Sequence, residues 1–267
     1  MRSRQRKRAA VAFLAAGVLA VAALVLAGAV CGMRQRAATC DPAPVGTGAL
    51  SAAAFLTDVF RLYGAETDAG GGERVDENGF PLVDWDYWRQ VNPNVVGWVT
   101  VPGTNVNGPI VLAPANDPDY YLKHDVYGEP NLYGCLYLDA SCAAAGLLGS
   151  RNAVVYGHNM SLMDGSMFTA LARYVDAAYA ADHAEMLVQT PDEKKACPVL
   201  FASVVDASAE TTRTQFENDA DFDAWYGEQA AKASVTLRGE VPESVVTFCT
   251  CSYSRWSNER TLVYVAK

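Results

Sequence analysis

Three residues of this chain are of the types that together carry out nucleophilic acyl transfer. Near the C-terminus, "VVTFCTCSYSRWSNERTLVYVAK" holds Cys249 and Cys251 one residue apart, with Arg260 nine positions beyond Cys251. The third, His158, follows an apolar run and a glycine in "NAVVYGHNM", at the exit of an expected strand, where rigid scaffolds present reactive groups. A cysteine nucleophile needs a thiolate, a proton shuttle and donors for the oxyanion that forms at the attacked carbonyl. Cys251, His158 and Arg260 match those needs, the last because a guanidinium is always charged and donates through a fixed fork. The spacing of Cys251 and Arg260 fits two neighbouring strands whose loop, "SYSRWSNE", returns the arginine to the side of the cysteine.

Plainer readings stand beside this one. A free cysteine is commonly a small buried hydrophobe, and residues 249 and 251 share one strand face, so Cys249 flanks Cys251 directly. A lone C-x-C without a second Cys/His pair is weak support for zinc. The acidic residues are dispersed without a ligand-spaced loop, so no metal or other cofactor is expected. His124 reads as a surface or packing residue, and His183 as the end of a helix, where a cation is favoured. Cys135 and Cys142 flank a loop and are candidates for a bridge. On residue types and spacing alone, catalysis, structural cysteines and a metal clip all stay open.

The elements that must position these residues are mostly strands. Runs rich in β-branched and aromatic residues, bounded by Gly, Pro, Asn or Asp, predict strands at 95–101, 109–112, 135–139, 152–157, 185–190, 198–205, 234–237, 244–250 and 261–266. Helical spacing occurs at 50–63, 84–91, 166–174 and 219–233, with Asp164 or Ser166 as the expected cap of the third. Many strands with only short helices between them favour a β-barrel or sandwich over a βαβ sheet. No internal repeat is visible.

The N-terminus sets the expected compartment. Residues 1–8 are basic, and residues 9–30 form an uncharged run of 22, about 33 Å as a helix and enough to cross a bilayer core of about 30 Å. The basic cluster favours an N-terminus inside, giving a single-pass anchor at 9–30, a stalk at 31–49 and an extracellular domain at 50–267. A cleaved signal with its exit near Ala27-Gly28-Ala29, or a lipoprotein signal at Cys31, fits less well. Residues 37–267 carry 14 Lys and Arg against 30 Asp and Glu, a net −16 that disfavours nucleic acid or anionic lipid as partner. The seven cysteines are an odd count, leaving at least one thiol outside any intramolecular pairing.

Longer motifs extend the pattern. "WRQVNPNVVGWVTVPGT", "DYYLKHDVYG", "GCLYLD", "NAVVYGHNMSLMDGSMFTALARY" and the terminal "TFCTC" with its following arginine resemble the class B sortases, in order, across residues 85–267. The resemblance implies an eight-stranded β-barrel (93–267) preceded by N-terminal helices (50–92), with an extra helix before the last two strands that the pattern at 219–233 fits. It implies cysteine transpeptidation. Cys251 would attack the carbonyl of a C-terminal sorting signal near a threonine, His158 would protonate the leaving amine, and Arg260 would hold substrate and oxyanion. The thioacyl enzyme would pass to an amine of a peptidoglycan precursor or a pilin. Asn159, Cys249, Thr250, Ser252 and Tyr253 are the implied substrate contacts, with Trp256 in the same loop. Class B members often carry serine where this chain has Cys249, and a thiol there can act as a redox guard by trapping a sulfenic acid on Cys251. The competing functions are a cysteine peptidase with water as acceptor and a non-catalytic membrane-anchored ectodomain. An L,D-transpeptidase would place its histidine shortly before the cysteine, an order this chain lacks.

Overall fold

The computed structural model describes residues 74–208, 212–252 and 258–267. The expected membrane span, the stalk and the helix at 50–63 lie outside the described residues. Among those described, no helix is long and apolar enough to cross a membrane.

Among the described residues nine strands form, at β1 (Val95–Thr100), β2 (Asn107–Leu112), β3 (Leu136–Leu138), β4 (Asn152–Tyr156), β5 (Glu185–Gln189), β6 (Lys194–Asp206), β7 (Val235–Thr236), β8 (Val245–Cys251) and β9 (Glu259–Ala266). Their order is β5-β1-β2-β3-β4-β8-β9-β6-β7, and β5 also pairs with β6. That extra pairing closes eight strands into a barrel, the architecture expected from the sequence, and leaves two-residue β7 as an appendage on Phe201 and Ala202 of β6. Closure removes the open edges that invite mispairing. Two junctions are parallel, β2 with β3 and β4 with β8.

The barrel interior is a cluster that includes Val99, Ile110, Leu138, Val155, Val188, Val246, Phe248, Val263 and Val265. Outside β8 and β9 a second cluster packs Val245, Cys249, Leu262 and Tyr264 against Phe222, Trp225 and Tyr226. Those three aromatics come from the helix Asp219–Ala231, which Asn218 caps through a bond from Asp221 N. Both faces of β8 and β9 are therefore buried, which is why their sequences read as near-continuous apolar runs rather than as an alternation. Aspartates cap two further helices, Asp84 at Trp85–Val91 and Asp176 at Ala177–Asp182.

The segment expected as a helix at 166–174 is a 3-10 helix, Phe168–Val175. Its fully buried residues Phe168, Leu171 and Tyr174 recur every third position, the period of a 3-10 turn rather than of an α-helix. Its cap also differs from expectation. Met167 occupies that position at φ 54° without a side-chain bond, while Asp164 instead accepts from Ser166 N at 3.0 Å in the preceding turn. Cys135 and Cys142 do not bridge. Both are free and buried, Cys142 in the barrel interior and Cys135 in a separate cluster with Val95, Val111 and Tyr121.

Candidate active site

Strands β4, β8 and β9 are consecutive in the barrel, and the candidate residues sit where they meet one rim. The antiparallel ladder of β8 with β9 runs without a break through Cys251 opposite Arg260. This is the juxtaposition their spacing suggested. Arg260 lies on the face of β9 that carries Leu262 and Tyr264, and Cys251 on the face of β8 that carries Cys249. Both are half-buried.

On the other side of β8, the parallel ladder with β4 pairs Tyr156 with Cys249. Two residues further along each strand stand His158 and Cys251. The register is carried that far by three bonds: Gly157 N to Cys249 O at 3.2 Å, Thr250 Oγ1 to Gly157 O at 2.8 Å and Asn159 Nδ2 to Cys251 O at 2.7 Å. Gly157 itself has no room for a side chain. A Cβ there would lie 2.6 Å from Leu136 Cδ2 and from Phe168 Cδ2.

His158 is half-buried, and among the described residues a backbone group orients it. Its Nε2 lies 2.8 Å from the carbonyl oxygen of Leu122, the last residue of the 3-10 helix Tyr120–Leu122. A carbonyl only accepts, so Nε2 carries the proton and Nδ1 is left for exchange. The His158 carbonyl in turn accepts from Phe168 N at 2.8 Å. In the turn that follows this histidine, Leu162 and Met163 are exposed apolar side chains.

Cys249 is buried, and burial pushes its thiol up to about 12, with the nearby Arg260 charge pulling the other way and Cys251 adding to the rise. A thiol held protonated in this way is a poor trap for a sulfenic acid, which works against the redox-guard reading. Of the other residues considered as substrate contacts, Asn159 and Thr250 are buried with their polar atoms bonded within the protein, and Ser252 is half-buried with its N bonded to Glu259 O at 3.0 Å. Tyr253 and Trp256 lie outside the described residues.

His124 packs, stacked on Tyr120 at 3.9 Å, and His183 caps Ala177–Asp182, bonded to Tyr179 O at 2.9 Å. Among the described residues no group of three or more His, Cys, Asp or Glu is placed to hold a metal ion. Sequence reasoning missed the Leu122 carbonyl, a backbone group without any side-chain signature. It also missed the clamp formed by Asn159.

No family model matches the chain. It is similar to two curated proteins called sortase B. The one from Staphylococcus aureus is 26% identical over 181 residues, 67% of this chain and 72% of that protein. The one from Listeria monocytogenes is 26% identical over 165 residues, 61% of this chain and 65% of that protein. A crystal structure of a Bacillus anthracis protein described as similar to sortase B superposes with a TM-score of 0.60 at 27% identity, covering 67% of this chain and 80% of that one. The fold and these likenesses are those of the sortase-type cysteine transpeptidases. Within that class the likenesses fall on class B.

Proposed function

We propose that this enzyme cleaves a C-terminal sorting signal on secreted proteins and joins the new carboxyl end to an amine, working from the outer face of a membrane. The observation that carries the reading is the meeting of Cys251 and Arg260 as a cross-strand pair, next to the strand that ends at His158. In the proposed cycle the Cys251 thiolate attacks the scissile carbonyl carbon, and Arg260 donates to the oxygen as it gains charge. His158, protonated on both nitrogens, gives its Nδ1 proton to the departing amine while Leu122 holds Nε2. A thioester remains on Cys251. The acceptor amine attacks it, loses its proton to His158, and the thiolate is regenerated as the new amide forms.

The charge-free run at 9–30 behind a basic cluster supports an anchor that keeps the catalytic domain, the substrate and a lipid-linked acceptor on the same surface. The acceptor class is an amine of a peptidoglycan precursor or a pilin lysine. Exposed Leu162 and Met163, in the turn after His158, are the apolar contact offered to an extended peptide.

The test incubates the full chain in detergent with a pool of sorting-signal peptides and excess triglycine, read by intact-protein mass spectrometry. The expected result is an acyl adduct on Cys251 that transfers to the amine and is absent from Cys251→Ala. Release only to water would make the enzyme a peptidase. No adduct, with Cys251 inert to alkylation, would remove the catalytic reading.

A further inference from the structure

The main-chain ladder between β4 and β8 ends at Tyr156 and Cys249, one strand repeat short of His158 and Cys251. What lies beyond it follows from the other ladder. Ser252 N donates to Glu259 O at 3.0 Å, which makes residues 252 and 259 a hydrogen-bonded pair across β8 and β9. In an antiparallel pair such residues alternate with residues whose N–H and C=O point away from the partner. The carbonyl of Cys251 therefore faces away from β9, toward the place β4 has already left. Asn159 fills that place, its Nδ2 donating to Cys251 O at 2.7 Å. Its Oδ1 accepts from Ser161 N at 3.0 Å, which holds the turn after His158, and its backbone bridges Met167. The residue is 6% exposed, so water does not compete freely for either bond.

We infer that Asn159 is a positioning residue for the transpeptidation proposed above, on which this role rests. Its amide replaces the missing main-chain rung and holds Cys251 in register with His158 from the side opposite Arg260. Thr250 supports the same junction through Gly157 O. Asn159 touches the nucleophile's backbone and the turn of the proton donor, and its polar atoms are already engaged, so it acts through those residues rather than on substrate.

The isosteric change Asn159→Asp separates its two bonds. The carboxylate still accepts from Ser161 N but no longer donates to Cys251 O, until protonation restores a donor. The full chain is compared with Asn159→Asp, Asn159→Ala and Thr250→Val, after thermal melts establish folding. Two readouts are used: steady-state transpeptidation, and the pH–rate profile of Cys251 alkylation by iodoacetamide, assigned by peptide mapping. Misplacement of reacting groups by about 1 Å costs roughly 100-fold. At pH 7 the kcat of Asn159→Asp is expected to fall roughly 10- to 100-fold with KM within about two-fold. Relative to the unchanged enzyme, it recovers as pH falls toward the carboxyl range near about 4. A variant with unchanged kcat overturns the inference, as does a raised KM with unchanged kcat, which would make Asn159 a substrate contact. If the unchanged enzyme forms no adduct, the functional reading fails and alkylation decides alone. A profile altered by Asn159→Asp then supports the clamp, and an identical profile overturns it.

Discussion

Replacing Gly157 by alanine adds one methyl group, and the structure specifies where it goes. The new Cβ would sit 2.6 Å from Leu136 Cδ2, 2.6 Å from Phe168 Cδ2 and 2.8 Å from Phe168 Cγ. Ordinary carbon contacts are about 3.5–4.0 Å, so roughly 1 Å must be made up by movement. Phe168 cannot swing into solvent, being fully buried against Phe248 at a centroid distance of 5.8 Å. Overpacking of this kind costs about 1–3 kcal/mol. For a domain of this size that lowers Tm by roughly 2–12 °C. The push also reaches the reacting groups, because Phe168 N is bonded to the His158 carbonyl and Gly157 itself is bonded to Cys249 and Thr250. A shift of about 1 Å between nucleophile and proton donor costs on the order of 100-fold in rate. Differential scanning fluorimetry and single-turnover acylation measure the two effects. A second change, Phe168→Leu, removes ring atoms from the clash, so the double variant should lose less rate than the product of the single losses. A Gly157→Ala enzyme with unchanged Tm and a rate within two-fold would refute the reasoning and show that the barrel rim relaxes freely.

Arg260→Lys keeps the charge but loses the fork, and kcat for acylation should fall roughly 100-fold with a smaller change in KM; equal activity would remove the oxyanion role. For Cys249→Ser, the protonated state of the buried thiol leads to the expectation that peroxide inactivates variant and unchanged enzyme at rates within about two-fold. A markedly more sensitive variant would restore the redox-guard reading. Lys267 is half-buried, and desolvation pushes its ammonium down to about 8 from 10.5. Between those values the unfolded chain binds the proton more readily, so the lysine's contribution to stability rises with pH across that window and levels off above it. Urea unfolding should show the stability of the unchanged enzyme gaining on Lys267→Met between pH 8 and about 10.5, and parallel curves would refute it.

Much of the barrel was legible because its strands announce themselves by composition. All nine expected runs form strands, and the strongest, on β8 and β9, are buried on both faces. The start of β6 was not. Lys194 and Lys195 precede Pro198, and a proline reads as the beginning of a strand, yet here it stands opposite Glu185 at the end of the β5 ladder. The pairing of Cys251 with Arg260 could be anticipated, since a short connection between strands leaves few registers. His158 was suggested by residue type and position, but its alignment with Cys251 depends on parallel pairing between distant segments, which no local pattern encodes. The functions of Asn159 and Leu122 were illegible for a related reason. Each contact joins a side chain to a backbone carbonyl, and backbone groups carry no letter in a sequence.

The parallel seam between β4 and β8 has a consequence for assembly. Thr250 and Gly157, joined across it, are 93 positions apart, whereas Cys251 and Arg260 form a local hairpin. Closing a loop about ten times longer costs roughly 2 kcal/mol more in chain entropy. Contacts of long sequence separation also form late. During refolding, the thiol and guanidinium should find each other while the imidazole is still elsewhere. Strand content is therefore expected to reappear before the proposed peptide-joining activity, with Cys251 and Arg260 already paired while His158 is still to arrive.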